Sequence, residues 1–163
     1  MKYPLEDLLR VRNFREDNAA NELTKRRREV EQAEELVQQR KQELADYIQW
    51  RIKREEELYN QVMQKPVQLK DLDDLKQDIQ LLREKEHLYE DRIREAEKAL
   101  ADARQALEDA HAQYQAAVRD RQKIDEHKDL WAQETAKINE ANAEKELEDF
   151  RVRSFDDETD QED

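Results

Sequence analysis

Histidines, cysteines, paired carboxylates and glycine-rich turns build most enzyme sites, and in this 163-residue chain each is missing or wrongly spaced. There is no cysteine, so neither a disulfide framework nor a thiolate metal site can form. His87, His111 and His127 are too far apart for any two to make an i, i+4 metal pair, and they read as surface histidines. There is no glycine. Phosphate-binding loops need glycine where the backbone approaches the ligand closely, which argues against a nucleotide site made by this chain alone. Acidic side chains are abundant, but on open helical surface they lack the burial that turns a carboxylate into a useful acid or base. The sequence therefore predicts no catalytic residue, no cofactor and no metal, and a protein that is not an enzyme.

The same missing glycines describe the elements. A chain of this length would ordinarily carry roughly ten, placed where the backbone turns with positive φ. Only Pro4 and Pro66 remain as helix breakers, in a composition that is 45% charged and 36% hydrophobic. From Leu72, positions alternately three and four apart read Leu75, Ile79, Leu82, Glu86, Tyr89, Ile93, Ala96, Leu100, Ala103, Leu107, Ala110, Tyr114, Ala117, Arg121, Ile124, Lys128, Trp131, Thr135 and Ile138. All but Glu86, Arg121, Lys128 and Thr135 are apolar. A 3.5-residue period held this long is a coiled-coil seam, and it decides against the disorder that a net charge of -13 would otherwise suggest. The first half repeats it through Leu9, Leu23, Val30, Val37, Leu44 and Leu58, interrupted at Glu16 and Arg51.

These signals predict an all-α protein, two long helices in an antiparallel coiled-coil hairpin. Pro4 suits a first helical turn, and Glu6 and Asp7 put negative charge at the positive helix end. Helix one is expected over about 5–64, a connection at 65–70 set by Pro66, and helix two over about 71–150, all within one hairpin domain, 1–153. Facing residues should carry numbers summing to about 135, which sets Arg26, Arg27 and Arg28 beside Glu108 and Asp109. Residues 154–163, crowded with Asp and Glu, are expected to be a disordered acidic tail. No apolar run approaches the roughly 20 residues that span a bilayer. A pI near 4.8 opposes nucleic acid and anionic lipid as partners.

An isolated hairpin encloses nothing, so it must act through its ends or sides. Two apolar groups exceed what a seam needs. Leu5, Leu8, Leu9, Val11 and Phe14 crowd the open end, with Leu130 and Trp131 at a similar height on helix two. Midway, Trp50 lies about 120° around the helix from Leu44, near the level of Lys85, while Leu81 and Leu88 point away from the second seam, Leu88 level with Tyr47.

The opening Met1-Lys2-Tyr3-Pro4-Leu5-Glu6-Asp7-Leu8-Leu9-Arg10-Val11-Arg12 resembles the start of the YscO proteins of bacterial type III secretion systems. Chain length, the lone proline between two helices, the stretch Asp125-Glu126-His127-Lys128-Asp129-Leu130-Trp131 and the charged tail are similar too. The resemblance implies a non-enzymatic cytoplasmic stalk of a hexameric secretion ATPase. Its open end would sit inside the ring, promote assembly and ATP hydrolysis, and link the ATPase to the cytoplasmic domain of an export-gate membrane protein. It makes Leu5, Leu8, Leu9, Phe14, Leu130 and Trp131 candidates for ATPase contact. Through the flagellar relative FliJ, whose Leu-x-x-Tyr element matches Leu44 and Tyr47, it also makes Leu44, Tyr47, Trp50, Leu81 and Leu88 candidates for contact with the export gate or secretion chaperones. In the flagellar pattern further apolar positions match Leu75, Ile79 and Leu82, and its next aromatic falls on Arg51. The alternatives are a free-standing export chaperone or adaptor that grips clients with its sides, and a dimerising spacer.

Overall fold

A computed structural model describes residues 2–159. The chain forms two long helices packed against each other, α1 (Glu6–Met63) and α2 (Leu69–Thr159). Pro4 sits in a turn closed by the Glu6 amide on the Tyr3 carbonyl at 3.3 Å, just ahead of α1. The acidic first turn then meets the helix dipole. At the other end the Gln64 amide makes a last helical bond to Asn60 O before Pro66 stops the helix. The helix α2 starts at Leu69, slightly earlier than the sequence predicts, because Asp71 lies in its first turn as a cap. The Asp71 carboxylate accepts from the Gln68 amide at 3.3 Å, while the Asp71 amide donates to Gln68 O at 3.1 Å. No described residue has positive φ, so the connection dispenses with the glycine that such turns usually need.

The far end of α2 differs from expectation. The helix continues through residues 151–159, where a disordered tail is predicted to begin at 154. No glycine or proline interrupts this stretch, and Ser154 Oγ turns back to Arg151 O at 2.8 Å rather than breaking the helix. The rest of the predicted tail, 160–163, lies outside the described residues.

Contacts divide the chain into two units, Ala20–Ala112 and Met1–Ala19 with Gln113–Asp163. In the first, antiparallel segments of α1 and α2 share a seam in which Leu23, Val30, Val37, Tyr47, Leu75, Ala96 and Ala110 are buried. In the second, Tyr3, Leu9 and Ile124 form a small buried cluster. Among the described residues no side chain is entirely sealed from water, as expected when each layer has only two helices to cover it.

Four of the polar residues that interrupt the two heptad patterns meet in cross-helix pairs. In the first unit Arg51 Nε lies 3.0 Å from Glu86 Oε2, and Arg51 Nη1 donates to Glu55 Oε1 at 2.9 Å. The Nε approach is close enough for an ion pair but off hydrogen-bond alignment, leaving that N–H without a hydrogen-bond acceptor. In the second unit Arg121 pairs with Glu16 and with Asp125, and Lys128 Nζ with Glu6 at 3.0 Å. Carboxylate contacts raise the pKa of both guanidiniums, chiefly the hydrogen bond that Arg51 donates to Glu55 and the one that Arg121 donates to Glu16. Placing charge opposite charge at seam positions fixes the register, since a slip would leave each ion unpaired in a half-dry layer.

The register that sets Arg26, Arg27 and Arg28 beside Glu108 and Asp109 yields no ion pair between them among the described residues. Arg26 instead pairs along its own helix, with Glu22 at 2.9 Å and Glu29 at 3.0 Å. No ion pair among the described residues joins Lys25, Arg27 or Arg28 to Glu108 or Asp109. Carboxylates three and four residues away on the same helix are neighbours of Arg26 on the helix surface.

Candidate partner-binding surfaces

At the end formed by the chain's first residues, Tyr3 is the organising side chain. Its ring meets Trp131 edge-on at a centroid distance of 5.3 Å, and its hydroxyl lies 2.5 Å from His127 Nδ1. Lys128 Nζ sits 5.9 Å over the same ring while holding Glu6. Proline at position 4 and the turn that follows direct Tyr3 back onto α2, which is why a residue outside the helix becomes one of the most buried. Leu9 joins this cluster and Trp131 packs against it. These two candidates are also seam residues, Leu9 buried and Trp131 half-buried. Leu5, Leu8, Val11, Phe14 and Leu130 remain exposed, Phe14 the most among those on α1 at 65%. Farther along α2, Ile138, Leu147 and Phe150 are exposed as well. Ile138 is the last position of the 3.5-residue pattern, and Leu147 and Phe150 lie beyond it.

The second surface is an open groove of about 510 Å³ in the unit Ala20–Ala112. Its floor is Tyr47 stacked on Tyr89, ring centroids 4.7 Å apart and planes 21° from parallel. Trp50 leans on Tyr47 from one side at 5.7 Å. The Tyr47 hydroxyl donates to Leu82 O at 2.5 Å, anchoring the floor to α2, and burial pushes its phenol pKa up, so it stays a neutral donor. Lys85 Nζ lies 5.9 Å above the Tyr47 ring and the Arg92 guanidinium 5.1 Å above that of Tyr89. On the α1 side Arg40 is held by Glu43 at 3.0 Å, and Asp46 accepts from Gln42 at 2.9 Å.

The side candidates thus separate. Tyr47 and Trp50 come together, Leu44 is half-buried in the seam, and exposed Leu81 and Leu88 do not line the groove. Tyr89, Lys85 and Arg92 escape the sequence reading as site residues. The antiparallel pairing rule, applied to Tyr47, would have found Tyr89. Among the described residues no three His, Cys, Asp or Glu side chains gather as a metal site, and no helix is long and apolar enough to cross a membrane.

The family model for type III secretion protein YscO matches residues 5–153, nearly the whole chain. The chain belongs to the YscO family. Its fold is similar to the crystal structure of the type III secretion protein YscO from Vibrio parahaemolyticus, with a TM-score of 0.81 and 27% identity over 90% of this chain and 92% of that one. A putative YscO homolog from Chlamydia trachomatis has the same fold, with a TM-score of 0.78 and 21% identity over 100% and 99% of the two chains. No curated protein sequence matches the chain significantly. Both similar structures are matched over almost their full length, so the YscO fold accounts for α1 and α2 together.

Proposed function

We propose that this YscO-family protein is the non-enzymatic central stalk of a type III secretion ATPase. The end bearing Leu5, Leu8 and Phe14 enters the hexamer, promotes its assembly and ATP hydrolysis, and the groove side links it to the export gate at the cytoplasmic face of the apparatus. One observation carries the reading. Tyr3, Leu9, Ile124 and Trp131 already close that end of the helix pair, yet Leu5, Leu8, Val11 and Phe14 stay exposed beside them, more apolar surface than a solvated helix end needs. Scattered exposed apolar residues are ordinary, but several within three turns of one helix end are suited to a partner that surrounds them.

The test is to mix the purified protein with the secretion ATPase and measure assembly and hydrolysis. Replacing Leu5, Leu8 and Phe14 together by Gln should abolish stimulation while leaving helicity nearly unchanged. Stimulation that survives in a fully helical variant rejects this end as the contact.

The aromatic groove favours a second reading, a coiled-coil chaperone or adaptor that grips clients sideways. Stoichiometry separates the two: one chain per ATPase hexamer supports the stalk, and client binding without the ATPase supports the adaptor.

A further inference from the structure

The groove holds two cations without carboxylate partners among the described residues, in a strongly acidic protein. Arg40 is neutralised by Glu43, but neither Lys85 nor Arg92 forms an ion pair among the described residues. Both rest over tyrosine faces, contacts that leave their charge unneutralised by any carboxylate. Beside them Trp50 is 51% exposed on a floor made rigid by the Tyr47 hydroxyl bond. A rigid aromatic shelf next to two available cations is complementary to one kind of protein chain. We propose that the groove binds a segment of a partner protein in which an aromatic side chain is flanked by carboxylates, the ring lying against exposed Trp50, which buried Tyr47, stacked on Tyr89, supports, and the carboxylates on Lys85 and Arg92. This rests on the reading of the groove as a partner surface and specifies what the partner offers.

Charge arithmetic supports the choice. The net charge of -13 repels an acidic segment at long range, but over about 8–10 Å salt screens that field and the nearest charges decide. Both free cations lie on α2, whereas Glu43 and Asp46 lie on α1. The segment therefore docks with its carboxylates toward α2. A second copy of the chain would bring another net charge of -13, which makes it the poorer occupant.

Trp50 reports the binding directly. With Trp131→Phe in the full chain it is the remaining tryptophan, and its emission is followed while synthetic peptides of about a dozen residues are added. One peptide carries Phe between glutamates; its analogues carry glutamine or lysine in place of glutamate, or alanine in place of Phe. The glutamate–Phe peptide should bind at least about tenfold more tightly than the glutamine analogue, and weaken as salt rises from about 0.05 to about 0.5 M. The lysine and alanine analogues should not saturate. Lys85→Gln with Arg92→Gln should abolish the preference for glutamate, whereas Arg40→Gln, whose cation is already paired, should retain it. Equal binding of the glutamate and glutamine peptides overturns the proposal while leaving the partner surface standing. Failure of every peptide to perturb Trp50 overturns it too, as does an emission change produced by protein concentration alone, which would assign the groove to a second copy. The underlying reading fails by a different result: Trp50→Ala leaving every complex with the ATPase, the gate and secretion chaperones as strong as before.

Discussion

Arg51 occupies a position where the heptad pattern of α1 calls for an apolar side chain, and its own side chain is only 14% exposed. Two carboxylates, Glu55 and Glu86, surround it. Removing the guanidinium would leave like charges facing each other in a half-dry layer, so Arg51→Ala should destabilise the protein by roughly 1–3 kcal/mol, measured by urea unfolding. Replacing Arg51 and Glu86 together by Leu should recover that loss, because an apolar pair carries no desolvation penalty. Tyr47 allows a second test at this scale. Burial raises its folded pKa above the ordinary value of 10.0. The unfolded chain then loses the phenolic proton first, so this contribution is intact below pH about 10 and is lost as pH rises through the folded value. Alkaline titration of unfolding should show a shallower loss in Tyr47→Phe than in the wild type. An identical slope would mean that the phenol titrates alike in both states.

At the scale of the elements, the seam was legible because its period survives the charged residues in it. Every position read from Leu72 to Thr135 is buried or half-buried, and Ile138, the last one read, is exposed. The pattern continued to that point in the sequence, but a seam needs a partner helix as well as a period. The polar interruptions were visible singly, at Glu16, Arg51, Glu86 and Arg121. Their pairing required the register of two helices, which one strand of text does not display. Tyr3 was missed as a core residue for a related reason. Flanking residues carry no helical period, and only the turn at Pro4 brings Tyr3 onto Trp131 and His127. The groove falls between these cases: Trp50 stood out as surplus, while Tyr89 was hidden among seam residues. The cross-helix ion pair between Lys41 and Glu97 gives a direct check on register. A zero-length carbodiimide should couple the Lys41 amine to the Glu97 carboxylate within one chain, and Glu97→Gln should abolish that cross-link.

For the molecule as a whole, the separations of its cross-helix partners form a graded series. Arg83 and Glu55 are 28 residues apart, Tyr47 and Leu82 35, Arg104 and Glu34 70, Arg121 and Glu16 105, and Tyr3 and His127 124. Closing the longest loop from an unfolded chain is costly, but once the neighbouring layer is shut each further layer closes a short one. Folding should therefore start beside Pro66 and proceed outward like a zipper, without waiting for distant pairings to meet by chance. Pulse-labelled hydrogen exchange should find amides near Glu55 and Arg83 protected before those near Leu9 and Ile124, and simultaneous protection would reject this order. Distance along the chain becomes order in time. The end proposed to meet the ATPase is then the last to close and the first to reopen, so a ring that grips it holds shut the latch of the entire fold.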